Sequence, residues 1–447
     1  MTKLIHLFLK NRDAFAIGML LAGGSLNYAL RDGLGLAPNN AAFSFLFIFG
    51  WIFMVLPFRD FNKVYFKRNP LVIPAVLYLT MTMIYMYIYA DPYKAPLSVK
   101  LYDVIVLFIV WYFLFYLSFV KEDNLGVNFL NITIWIAFLG SMGLIIFVLM
   151  NPNYILGQRL AISFGGDSEG DAMGNPHIYA RTAVFGILSG LMFLKHNKNK
   201  RNNIFLIICL VICYAVLILS QAMSAILGGM LMSAFFFFNN VTFKAFWKSV
   251  KRLFSKWYVW VIMVLLVVKG MSFIRQNEVI IELGYRVIER RVVNLLNTFT
   301  TEKDEGLYVT EEVKVDDSAS TRVKNIAYVK ETLAENFEEG KFQNLIFGNG
   351  YFDLYVDVPV MEVFNSYGLL GLTIFGIFFF LMTRYCIAEM KNPSGIFSEF
   401  VAYGYLYFFV YTFTNGLIMD YNRWTYFILV VRFIPGLTQK LRPNPAR

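Results

Sequence analysis

Histidine and cysteine are nearly absent, with three of each in 447 residues. Cys209, Cys213 and Cys386 all fall inside apolar runs, so no disulfide framework is implied. His6, His177 and His196 are far apart, and no His, Cys and carboxylate spacing forms a ligand set. The expectation is a metal-independent chain without a cofactor. Charge is scarce as well: 16% of residues are charged and 58% are hydrophobic, which excludes an ordinary soluble domain. The apolar runs are continuous rather than alternating, which excludes a membrane β-barrel. The glycines at 165, 166, 348 and 350 match neither a P-loop nor a dinucleotide fingerprint. No small-residue cleavage site follows the first apolar run, so that run is expected to remain as an uncleaved helix.

What the chain does have is apolar segments of membrane-crossing length. Twelve are read from the sequence, at 12–30, 40–57, 70–90, 102–120, 129–150, 177–195, 203–220, 222–239, 258–274, 359–383, 397–417 and 420–437. The expected fold class is therefore an all-α polytopic membrane protein of twelve spans. The net charge of +10 is distributed unevenly. One set of alternate connections holds Arg59, Lys63, Lys67, Arg68, Lys121, Lys195, Lys198, Lys200, Arg201, Lys244, Lys248, Lys251, Arg252, Lys256, Arg384 and Lys391. The other short connections hold only Arg31, Lys94, Lys100 and Arg159. The positive-inside rule then sets both termini in the cytoplasm. Because the cations are scattered among separate turns, no nucleic-acid partner is expected.

One polar interruption stands out, at 275–346 between the ninth and tenth spans. A loop this long is usually functional or disordered. It divides the chain into 1–274, which includes a smaller outer loop at 151–176, then 275–346 and 347–447. Within the long loop, 278–297 has the spacing of an amphipathic helix that could lie on the membrane. The stretch 300–319 is acidic and reads as irregular. Residues 320–338 read as a second helix, ended by Gly340.

Several ionisable groups fall where spans meet the outer interface: His177, Arg181, Lys269, Glu362, Asp420 and Arg423, with Asp357 just outside. Intramembrane charges mark sites or pathways, and cations at helix ends can also simply reach for the interface. Asp420 can equally be a structural ion-pair partner, and His177 a packing residue. Arg432 is the exception to the outward bias.

Three short patterns carry a resemblance. Ser320, Thr321 and Arg322 precede a helix and then Phe347, Gly348, Asn349 and Gly350. Tyr367, Gly368, Leu369, Leu370 and Gly371 open the next span, and Arg159 and Leu160 precede Asn175 and Pro176 in the earlier outer loop. In this order the chain resembles the O-antigen polymerase and ligase family, the Wzy-type polymerases and lipopolysaccharide ligases, along nearly its whole length. Asp357 and Val358 stand where ligase-like members carry a His-Asn pair, which is more similar to the polymerases.

The resemblance implies glycosyl transfer at the periplasmic face of a bacterial inner membrane. Substrate would be oligosaccharide on undecaprenyl pyrophosphate, with a chain-length regulator and a flippase as partners. It implies Arg322 and Asp357 as catalytic residues. Arg159, His177, Arg181, Arg286, Arg290 and Arg423 would serve the pyrophosphate side. Other readings are an O-antigen ligase acting on lipid A-core and a flippase for lipid-linked oligosaccharide. Arg322 could instead pair with Asp316 or Asp317 at its own helix start.

Overall fold

A computed structural model describes residues 2–30, 63–66, 69–150, 176–197, 203–276, 278, 282, 285, 289 and 317–436. Among these residues the secondary structure is helical, without strands. The helices are α1 (Thr2–Ala22), α2 (Gly24–Tyr28), α3 (Val72–Ile88), α4 (Leu97–Ser118), α5 (Val127–Met150), α6 (Pro176–His196), α7 (Asn203–Leu219), α8 (Met223–Asn240), α9 (Phe243–Phe254) and α10 (Trp257–Gln276). They continue with α11 (Asp317–Glu338), α12 (Phe342–Phe347), α13 (Pro359–Lys391), α14 (Ile396–Thr414) and α15 (Tyr421–Phe433).

Six of these, α4, α5, α6, α8, α13 and α14, are long and apolar enough to cross a membrane. Their surfaces away from the bundle carry Phe108, Leu139, Met230, Phe238 and Phe380 exposed, as lipid-facing sides would. One expectation needs correcting. The first helix begins at Thr2 rather than at 12, because the polar residues of its first turns also suit a helix. The connection at 240–257 contains a helix of its own, α9. The expected span at 40–57 lies outside the described residues, as does most of the helix expected at 278–297.

The bundle is built around α6 and α14, which bury most of their surface. Pro176 opens α6, where its missing N–H costs nothing. Gly186 and Gly190, spaced one turn apart, let α5 and α7 approach closely. A methyl at Gly186 would sit 2.7 Å from Ala137 Cβ and Cys213 Sγ, and one at Gly190 would sit 2.7 Å from Leu210. Small residues at this spacing are the usual means by which helices pack without a hydrophobic driving force. Aromatic stacking fills the core further, with Trp424 between Tyr78 and Phe378 at 5.5 and 5.9 Å.

α13 starts at Pro359 and is broken at Gly368, whose backbone (φ 62°, ψ −158°) belongs to a region that only glycine occupies comfortably. The break frees backbone carbonyls, and the preceding loop uses them. Asn349 N–H donates to Asn365 O at 2.8 Å, and Gly350 N–H to Ser366 O at 3.3 Å. A Cβ on Gly368 would lie 2.5 Å from Gly348 N, and a Cβ on Gly348 would lie 2.4 Å from the Ser366 carbonyl carbon. The two glycine motifs are thus halves of one backbone clasp.

A chain of side-chain bonds extends the clasp. Asn336 donates to Asn349, Asn349 to Asn365, and Asn365 to Asp353, at 3.1, 3.0 and 3.2 Å. Lys94 closes on Asp353 at 2.5 Å, and that carboxylate holds the Lys94 ammonium above its usual pKa. Above the clasp, α11 buries Val329 against Val356 and Val358, with Ile326 and Leu333 alongside. This small apolar cluster fixes the lid helix over the segment that carries Asp357.

Candidate functional site

At one end of the bundle meet the starts of α6, α13 and α15, the end of α14, and the first turns of α11. Five elements far apart in sequence therefore supply side chains to a single region. Asp357 occupies the left-handed backbone region (φ 57°), as do Gln221 and Phe352. Strain of this kind in non-glycine residues collects at functional sites.

Asp357 is the hub. Its Oδ2 accepts from Arg322 Nε at 2.6 Å. Its Oδ1 accepts from the Tyr355 hydroxyl at 2.9 Å and from the Gly416 N–H at 2.8 Å. Burial, then the Asp357 carboxylate, push the Tyr355 phenol above its usual pKa, so it remains a donor. An ionised carboxylate has about four acceptor positions, so one stays open on Oδ2. Arg322 also donates from Nη2 to Asn415 Oδ1 at 2.8 Å. A guanidinium has five N–H donors, so most of Arg322's capacity is unspent. Both side chains reach solvent, at 24% exposure for Arg322 and 17% for Asp357.

Asn415 links this pair to the bundle. Its amide donates to the Tyr411 hydroxyl at 2.8 Å and lies 3.5 Å from His177 Nε2. The His177 ring meets Tyr411 edge-on, with centroids 5.9 Å apart. One turn further along α6, Arg181 faces Tyr421, Tyr407 and Tyr411 and the carboxylate of Asp420. Asp420 is itself committed to capping α15, accepting from the N–H groups of Asn422 and Arg423. Arg181 forms no ion pair among the described residues, and its Nε has no hydrogen-bond partner.

The remaining candidates divide. Arg423 is fully buried, and its guanidinium donates to the carbonyls of Leu417, Asn415 and Tyr411. It brackets the α14–α15 turn that presents Asn415 and Gly416. Glu362 is buried and accepts from Ile418 N–H in that same turn. Arg432 lies at the opposite end, donating to the carbonyls of Leu117 and Val120. Lys269 is exposed on α10. Arg159, Arg286 and Arg290 lie outside the described residues.

Sequence reasoning overlooked Asn415, Gly416 and Tyr411, and read Tyr355 only as an aromatic near the site that could stack on sugars or belong to an interfacial belt. The Asn-Gly pair at 415–416 was a turn signal at the end of a span, and it could have been found. Tyr411 had no signal beyond a general richness in aromatics. Among the described residues no group of His, Cys, Asp and Glu could hold a metal ion.

The chain matches no family model and no curated protein. Its chemistry therefore has to be argued from the site. An arginine with spare donors, a carboxylate with one open lone pair, and a second arginine that bonds Tyr421 but forms no ion pair among the described residues suit a substrate that carries both an anion and a hydroxyl.

Proposed function

We propose that the chain is a membrane glycosyltransferase that polymerises lipid-linked oligosaccharide repeat units, as the Wzy-type polymerases it resembles do. In this reading it has twelve spans, both termini are cytoplasmic, and the Arg322–Asp357 end faces the periplasm of a bacterial inner membrane. The observation that carries the reading is the joining of Arg322 and Asp357, through Asn415, beside His177 and Arg181; the resemblance had singled out those four residues separately, without Asn415.

The reaction balances without a cofactor. The hydroxyl oxygen of the acceptor unit attacks the anomeric carbon of the donor glycan. The bond from that carbon to the pyrophosphate oxygen breaks, undecaprenyl pyrophosphate departs with the electron pair, and the hydroxyl proton is released. Charge grows on the leaving pyrophosphate, and fixed cations stabilise it without reorganising. Arg322 and Arg181 supply those cations, with bidentate geometry available to phosphate oxygens. The open position on Asp357 Oδ2 receives the acceptor hydroxyl and orients or deprotonates it. Arg423, spent on carbonyls, holds the turn rather than the substrate.

Deletion of the gene in its native host tests the reading directly. Long surface chains are expected to vanish while core capped with a single repeat persists on a gel. Loss of single repeats as well would overturn it, pointing to a ligase or a flippase. Within the site, Tyr355→Phe removes one bond to Asp357 and leaves two. A lost hydrogen bond of this kind is worth about 1 kcal/mol. Chain extension by Tyr355→Phe in membranes is therefore expected to slow by roughly five-fold, with the amount of folded protein unchanged.

A further inference from the structure

The end of the bundle opposite the Arg322 site carries a second charged feature. Between Asp171 and Glu278 the sequence contains no acidic residue, yet it contains the whole of α9, Phe243–Phe254. Lys244, Lys248 and Lys251 recur at spacings of four and three, which places them on one face of the helix. Together with Trp247 they line an open depression. Among the described residues none of the three forms an ion pair. By register, Phe243, Phe246, Val250, Leu253 and Phe254 form the apolar side.

Two residues link α9 to the end of α8, and two more link it to the start of α10. α8 begins at the site end with Met223 and finishes at the other end with Asn240. A helix of this length spans about 18 Å, and short tethers at both ends keep it at the ends of two apolar helices. It packs against α10 through Phe254 and Trp260, whose rings lie 5.5 Å apart. Trp247 is half exposed, and amphipathic aromatics of this sort sit at headgroup depth. A basic amphipathic helix held there fits an anionic lipid surface.

We propose that α9 lies in the headgroup layer and binds the phosphate groups of anionic phospholipids through Lys244, Lys248 and Lys251. The lipid supplies the negative charge that this stretch of chain lacks. The proposal is independent of the reaction assigned to the other end.

The test uses the full-length chain in detergent, titrated with phosphatidylglycerol or phosphatidylcholine and read by native mass spectrometry. The wild-type chain is expected to retain phosphatidylglycerol in preference. Each lysine near an anionic surface contributes about 1 kcal/mol. The triple variant K244Q/K248Q/K251Q is therefore expected to bind phosphatidylglycerol on the order of 100-fold more weakly. The triple Lys→Arg variant is expected to keep the affinity, which controls for folding. Equal retention of both lipids by the wild-type chain, or unchanged affinity in the glutamine variant, would overturn the proposal. So would complete displacement of phosphatidylglycerol by millimolar inorganic phosphate, which would identify a free-anion site.

Discussion

Arg322→Ala and Asp357→Ala are each expected to reduce chain extension by at least about 100-fold, as losing one fixed stabiliser of developing charge does elsewhere. The two side chains act as a unit, because Asp357 Oδ2 fixes Arg322 Nε while Arg322 Nη2 holds Asn415. The double variant is accordingly expected to lose little more than either single one. Arg322→Lys keeps the charge, but a single ammonium cannot serve a carboxylate and an amide oxygen in the same forked geometry. It is expected to recover less than a tenth of the wild-type rate, on the order of the single-alanine variants. The pair is partly solvated, so its removal costs stability only modestly, within about 1 kcal/mol. Chain-length ladders from membranes with matched amounts of each variant would check this, and full-length ladders from both alanine variants would sink the assignment.

Gly368→Ala carries the second large effect, on folding. The new methyl group would meet Gly348 N and Ile346 O at 2.5 Å, both of them backbone atoms that cannot rotate away. The residue would also have to hold a φ of 62° with ψ −158°. Such conformations cost on the order of 1–3 kcal/mol in a non-glycine residue before any clash is counted. Gly376, on the same helix, has nothing within 4 Å of an added Cβ, so Gly376→Ala serves as the matched control. The expected result is loss of monodisperse Gly368→Ala protein on size-exclusion chromatography, with Gly376→Ala unaffected. Normal recovery of Gly368→Ala would contradict the clasp.

Both glycine motifs were visible in the sequence, but their purpose was not. Periodicity and composition mark Gly348 and Gly368 as turns. They cannot reveal that one glycine exists to admit the backbone of the other, twenty residues away. The same limit applies to the site. Pro359 and Pro176 announced their helices, since proline suits a first turn, and the starts of α6, α13 and α15 were legible to within a residue, whereas α13 runs on to Lys391, past the expected end at 383. Arg322 and Asp357 were singled out, while Asn415, 93 residues beyond Arg322, carries no local signal of that partnership. Arg423 looked like a site cation because arginine at a span end has two uses. Only the three carbonyls around it decide between them. α9 was overlooked because lysines were counted as topology markers before their spacing was considered.

The clasp has a consequence for how the chain could be altered. Its bonds from Asn349 and Gly350 to Asn365 and Ser366 are made by main-chain atoms, which every residue except proline supplies. Besides the glycines at 348 and 368 and the Asn349 and Asn365 side chains, this pairing therefore fixes the number of residues. Adding or removing a single residue between 351 and 358 would move Asp357 out of reach of Arg322 and Gly416, even with every side chain retained. Here a frame-preserving insertion should be more damaging than most substitutions, which makes segment length, alongside the clasp glycines and asparagines, a quantity to hold fixed in any redesign of the lid.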